Sequence, residues 1–224
     1  MTSAETAGRV PFDVHNLLEP YMQLSSGVIQ FVRFEYQIAG LVWLHRATTA
    51  AIDAEVENLA AIRGSGAHLV PGYDAESDDN LDDSLDLLDQ DVAPISAGTI
   101  LMACCGALES LLTDLLPTSD RIEVRGLSRK VQALMALWPQ RATVEHVLEN
   151  TRWLTQRRNS FAHRLLDEGG PWETNPDAPR FVFGEDMVEE SFERVGEIAE
   201  ILDVGYGRYS TRRTTSAQTA RADE

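Results

Sequence analysis

Apolar positions recur at intervals of three and four residues along nearly the whole chain, and no stretch alternates cleanly enough to carry a sheet, so the pattern predicts an all-α fold. Ile29, Val32, Tyr36, Ala39 and Trp43 fall on one helical stripe, which Ile52, Val56 and Leu59 extend toward Gly64 and Gly66. This predicts one long helix or two abutting ones. Pro71-Gly72 and the acidic run after it read as a mobile linker, followed by a short stripe of Leu81, Leu85, Leu88 and Val92 that ends at Pro94. Leu101, Cys105, Leu108, Leu112 and Leu115 define a strongly apolar helix closed by Pro117 and expected at the centre of the core. Leu127, Val131, Leu134 and Trp138 form a shorter helix, capped by Ser128 or a neighbour and stopped by Pro139. Thr143 is placed to cap the next helix, which should run to Gly169-Gly170. Residues 171–184 hold three prolines and read as a loop, with Arg180–Phe183 at most a short extended piece. Val188, Phe192, Val195, Ala199 and Leu202 make a final amphipathic helix. From Gly205 the Thr, Ser, Ala and Arg tail lacks apolar anchors and is expected to be disordered.

The expected organisation is an N-terminal helical region over 1–70, an acidic linker and short helix over 71–94, a helical bundle over 95–204 and a tail over 205–224. No internal repeat is visible. With 43% hydrophobic and 25% charged residues in 224, the composition is that of an ordinary globular protein with a sizeable core. Met1–Asn16 has no basic region followed by an apolar run, so no secretory signal is read there. The two most apolar stretches, Val28–Leu44 and Gly98–Leu116, are broken by Arg33 and Glu35 and by Glu109 and Asp114. A cytoplasmic protein with no membrane span is expected. The only cysteines, Cys104 and Cys105, are adjacent and cannot form a spaced zinc site, so they are read as small core residues.

The net charge of −17 argues against a nucleic-acid partner, because phosphate contacts need Lys and Arg. The average hides a segregation. From Arg121 to Arg164 nine basic residues stand against three acids, a local +6, while Asp74 to Asp91 holds nine acids and no base. Either these are solvated faces, or a basic site sits on an acidic body. The acids could also lie over the basic segment and screen it.

The segment Trp153-Leu-Thr-Gln-Arg-Arg-Asn-Ser-Phe-Ala-His163 holds Arg158, Asn159 and His163, an arginine followed by asparagine with a histidine a few positions on. It lies in a late helix, after an apolar helix with the embedded acid Glu109. The same Arg-to-His interval occurs at Arg63 to His68 and at Arg141 to His146 without that context. In this motif and in helix order the chain resembles the HEPN superfamily of ribonucleases, over roughly Ile95 to Leu202; the first ninety or so residues lie outside the resemblance. The resemblance implies a HEPN-like helical bundle and metal-independent RNA cleavage, in which the RNA's own 2′-hydroxyl attacks the adjacent phosphorus, leaving 2′,3′-cyclic phosphate and 5′-hydroxyl ends. His163 would be the general base or acid, which suits a side chain that exchanges protons near neutral pH. Arg158 would hold the phosphate, since guanidinium matches its oxygens bidentately, and Asn159 would orient the imidazole or the substrate. Arg157 is an alternative to Arg158. Arg152, Arg157 and Arg164 are the further RNA-binding candidates. A homodimer with a composite site is implied, in a toxin or defence effector restrained by an antitoxin or other regulatory partner.

Helical geometry bears on the same residues independently. At 100° per residue Arg152, Gln156, Asn159 and His163 share one polar stripe, opposite Leu154, Phe161 and Leu165. Arg158 falls on the apolar side, where an unpaired charge is costly. A cleft at a helix or dimer interface would explain it, and so would a structural pairing with Glu109. His15, His45, His68 and His146 show no convergent partners in the sequence and read as surface or core residues. No Gly-rich phosphate loop, zinc-ligand spacing or nucleophile motif occurs, so no cofactor or metal is expected. Trp43, Trp138, Trp153 and Trp172 are read as packing anchors. The competing functional reading is a non-catalytic helical interaction protein on the same fold.

Overall fold

A computed structural model describes residues 13–117, 123–137, 141–166 and 181–222, excepting the side chains of 141–143, 164–166 and 208–222. All regular structure among them is helical: α1 (Val14–Leu18), α2 (Ile29–Ser65), α3 (Asp74–Leu87), a π-helical turn (Leu88–Val92), α4 (Ala93–Leu115), α5 (Leu127–Leu137), α6 (Arg141–Leu166) and α7 (Glu185–Ala222). The all-α expectation therefore holds.

The most apolar helix, α4, is the hub. Leu101, Cys105, Leu108 and Leu112 are fully buried, and α4 packs against α2, α5, α6 and α7. Burying side chains of this size stabilises a fold by about 1.5–3 kcal/mol each, which is why the most apolar segment ends up innermost. The α7 stripe of Val188, Phe192, Val195, Ala199 and Leu202 is likewise fully buried. Residues of α1, α2 and α4 through α7 contribute to one hydrophobic core. Leu18 through Val42, within the expected N-terminal region, thus supply part of the same core as the later helices.

The stripe read on α2 is only partly the one the fold buries, with Ala39 its fully buried member. Ile29, Tyr36 and Trp43 are exposed, whereas Phe31, Phe34, Ile38, Ala39 and Val42 form the packed face. This helix carries apolar residues on more than one side, so periodicity leaves the choice to tertiary packing, and α4 and α7 take the face with the two phenylalanines. Trp43 is accordingly a surface residue. The helix ends as expected at Gly66, in the left-handed conformation at φ 68°. The Gly66 N–H donates to Arg63 O and the Ala67 N–H to Ile62 O, satisfying the last carbonyls in a Schellman arrangement.

The acidic run expected as a mobile linker is mostly helix α3, folded back on the end of α2. Arg63 pairs with Asp82, and His68 Nε2 lies 2.7 Å from Asp78 Oδ1. Asp78 and Asp82 thus engage the end of α2 and the turn just after it. Pro94 does not end the following stripe. The chain instead passes through the π turn, where the Ala93 N–H donates to Leu88 O. A proline within an α-helix lacks its N–H and clashes with the carbonyl four residues back, and widening the preceding turn by one residue relieves that conflict. Asp74–Leu115 is therefore one 42-residue run of helix, apolar enough in one window to cross a membrane by length and composition, with half of that window buried inside the fold.

The described part of α6 runs from Arg141, which places Thr143 inside the helix and not at its cap. Ser128 Oγ lies 3.5 Å from Thr155 Oγ1, between α5 and α6. Trp138, Trp172 and the Gly169-Gly170 stop lie outside the described residues. The backbone of α7 continues as helix to Ala222, through the segment where no order was expected beyond Gly205.

Two close approaches fix the bundle. Gly98 on α4 faces Phe161 on α6, where an added Cβ would lie 2.5 Å from Cζ and closer still to Cε2 and Cδ2. Gly196 on α7 admits the backbone of Tyr21, whose carbonyl carbon would lie 2.9 Å from a Cβ there. Carboxylates of α7 then tie down the segment before α2. Asp203 Oδ2 accepts from the Ser25 N–H at 2.8 Å and the Ser26 N–H at 3.1 Å, and Glu200 Oε1 from the Gln23 N–H at 2.6 Å. The Tyr21 hydroxyl donates to Glu189 Oε2 at 2.5 Å, and burial together with this bond pushes the tyrosine pKa up.

Candidate active site

Helix α6 carries the motif, and its orientation follows from its apolar side. Leu154 and Phe161 are buried against α4, with the Phe161 ring 5.0 Å from Phe183. This turns Arg152, Gln156, Asn159 and His163 outward, and all four are exposed. The polar stripe expected from helical spacing is thus a continuous solvent-facing edge.

Arg158 lies at the flank of that edge nearest α4. Its Nη1 donates to Glu109 Oε2 at 3.4 Å and its Nη2 to Asn159 Oδ1, also at 3.4 Å. Glu109 in turn accepts from Lys130 Nζ on α5 at 3.0 Å, and the same ammonium donates to Thr113 Oγ1 at 2.8 Å. Lys130 is buried, while the Arg158 and Glu109 side chains are 28% and 29% exposed. Two cations therefore share one carboxylate, and the trio retains one positive charge. A half-buried guanidinium held by an acid answers the cost of placing Arg158 on the apolar side.

The two arginines of the motif separate cleanly. Arg158 belongs with Asn159 and Glu109, whereas Arg157 turns toward α7. The Arg157 guanidinium carbon lies 3.7 Å from the ring centroid of Trp153 and 4.5 Å from that of Phe181. Arg194, on α7, lies 4.8 Å from the same indole. Arg194 is fixed by Glu190, at 2.9 Å to Nε and 2.7 Å to Nη2, and by Asn150 Oδ1 at 2.6 Å. Asn150 Nδ2 reaches Glu197 Oε2 at 2.6 Å, and that oxygen also meets His146 Nε2 at 2.9 Å. Burial pushes the Arg157 pKa down, opposed by Glu190 and assisted by Arg194.

Of the residues singled out in the sequence, Asn159 and His163 share the exposed edge of α6 with Arg152 two turns before Asn159, Arg158 reaches Asn159 from the buried flank, and Arg157 lies apart; the Arg164 side chain lies outside the described residues. Lys130 and Arg194 escaped the sequence reading. Lys130 sits at the margin of the Leu127, Val131 and Leu134 stripe, where a lysine reads as a stem reaching solvent, while Glu190 and Arg194, four apart on one helix, were a legible pair. Three of the other histidines do have acidic partners: His45 with Glu189, His68 with Asp78 and His146 with Glu197. Compared with family models, curated proteins and solved structures, the chain matches none.

Proposed function

We propose that the chain is a metal-independent endoribonuclease of HEPN type, a cytoplasmic toxin or defence effector that acts as a homodimer with a composite site and is held in check by an antitoxin or regulatory partner. The observation that carries this reading is the shared outward edge of α6, where Asn159 and His163 stand one turn apart and Arg158 directs Nη2 to Asn159 Oδ1 at 3.4 Å. His163 accepts the proton of the RNA 2′-hydroxyl or returns one to the leaving 5′-oxygen. Arg158 donates to the phosphate oxygens as charge builds on them, and water-excluding closure by the second copy strengthens that contact. Glu109 and Lys130 act as positioning residues that fix the Arg158 guanidinium. The exposed Arg152 adds a backbone-phosphate contact on the same edge.

A second reading has its own observation. The Arg158 to Glu109 ion pair gives the guanidinium a structural task, as a non-catalytic helical interaction module would need. Matched substrates separate the two. An RNA oligonucleotide should be cut by the wild type, and the same sequence with 2′-deoxyribose throughout should survive, since it lacks the attacking hydroxyl. Equal survival of both substrates favours the interaction module.

A further inference from the structure

The Arg157 guanidinium has an unusual setting. Trp153 covers one side at 3.7 Å and Phe181 lies 4.5 Å away, so apolar rings crowd its faces and its N–H groups are the means left to engage a partner. No hydrogen bond or ion pair is made by it among the described residues, and its Nε is buried with no acceptor. Leaving a buried donor unsatisfied is costly, more so when the group is charged. Glu190, the acid whose charge acts on Arg157, gives its Oε1 to Arg194 instead. The result is a rigid planar cation, oriented by aromatic stacking, beside a second guanidinium that is already fully oriented.

We propose that Arg157, clamped by Trp153 and Phe181 and flanked by Arg194, is a phosphate subsite that takes a backbone phosphodiester of single-stranded RNA. The chemistry follows from the geometry. An arginine fork matches two phosphate oxygens in its own plane, and stacking removes the rotamer entropy that such a contact normally costs. The subsite rests on the ribonuclease reading for the identity of its ligand. Arg157 and Arg158 are consecutive on α6, about 100° apart, and their guanidinium groups turn to Trp153 and Phe181 and to Glu109 respectively, so the subsite holds a different phosphate from the one at Arg158 and His163. It therefore fixes where the strand runs, not which bond breaks.

The test uses a fluorescein-labelled single-stranded 2′-deoxyoligonucleotide, which carries the phosphodiesters but cannot be cut by 2′-hydroxyl attack. Its affinity is measured by anisotropy from low to moderate salt. One phosphate contact in single-stranded nucleic acid contributes about 0.7 to the slope of log affinity against log salt. Arg157→Gln should weaken binding several-fold and lower that slope by about 0.7, while Arg157→Lys, which keeps the charge, should retain the slope. A merely structural arginine would leave the slope unchanged in both variants, and that result overturns the subsite. So does a wild type that fails to bind the oligonucleotide, and so does binding of adenosine monophosphate that depends on Arg157 when the oligonucleotide does not bind, which would make a free nucleotide the ligand. The two proposals fail separately. RNA cleavage with unchanged Arg157→Gln binding retires only the subsite, and Arg157-dependent binding without cleavage of RNA retires only the nuclease.

Discussion

Replacing Gly98 with alanine tests the packing that sets the candidate site. An added Cβ would lie 2.5 Å from Phe161 Cζ and closer to two other ring carbons, well inside van der Waals contact. The ring cannot easily retreat, because Phe161 is 1% exposed and backed by Phe183 at 5.0 Å. Overpacking of this kind costs about 1–3 kcal/mol, and overlap with three ring atoms puts this site at or above the upper end. Alanine also returns about 1 kcal/mol of helix propensity. The net loss is about 2 kcal/mol, which in a chain of this size lowers Tm by about 4–8 °C. Thermal and urea unfolding followed by far-ultraviolet circular dichroism measure it. Phe161→Leu in the same chain should relieve the overlap, so the double variant should be more stable than the sum of the single losses by about 1 kcal/mol or more. Since Phe161 precedes His163 by two residues on α6, the proposed RNA cleavage should fall in Gly98→Ala by more than its folded fraction does. A Gly98→Ala protein as stable as the wild type, or strictly additive losses, would refute the α4 to α6 contact and with it the orientation of the polar edge.

Other outcomes follow from the same structure. Asp203→Ala removes the acceptor of the Ser25 and Ser26 N–H groups and should cost about 0.5–1.5 kcal/mol for each hydrogen bond lost, seen as a drop in urea midpoint and faster amide exchange at both residues. Burial, chiefly, holds the Glu35 carboxyl above the usual carboxylate range, with Asp203 adding to it and His15 opposing. A raised acid favours the fold while protonated, so this contribution is full below the ordinary value of 4.5 and is lost as pH rises through the folded pKa. Glu35→Gln should therefore raise Tm at pH 7 and not at pH 3.5; equal effects at both pH values would contradict the assignment. Cys104 and Cys105 are fully buried, and burial pushes the Cys105 thiol up to about 12 and Cys104 higher still. Neither should react with iodoacetamide at pH 8 until denaturant is added, and labelling in the native state would show the core to be open.

How much of this was legible depended on whether one face of a segment dominates. The α4 and α7 stripes were, because Leu101 to Leu115 and Val188 to Leu202 leave only one face to bury, and so was the outward row of Arg152, Gln156, Asn159 and His163. On α2 two apolar faces compete, and only the phenylalanines' fit against α4 and α7 decides between them. The Pro94 stop failed because a π turn absorbs the missing N–H, a backbone adjustment invisible to periodicity. The acidic linker was misread for a related reason: charge density reads as solvation, yet Asp78 and Asp82 gain partners from His68 and Arg63 once the chain folds back. At the site, Glu109 was foreseen as a partner for Arg158, but Lys130 and the Trp153 to Arg157 stack depend on contacts that spacing within one helix does not reveal.

The most direct measurement is incubation of the purified protein and of His163→Ala with total RNA and tRNA in EDTA, followed by analysis of the fragment ends. The account predicts cleavage by the wild type alone, leaving 2′,3′-cyclic phosphate and 5′-hydroxyl ends. Cleavage undiminished in His163→Ala, or fragments bearing 5′-phosphate, would contradict the role given to the α6 edge.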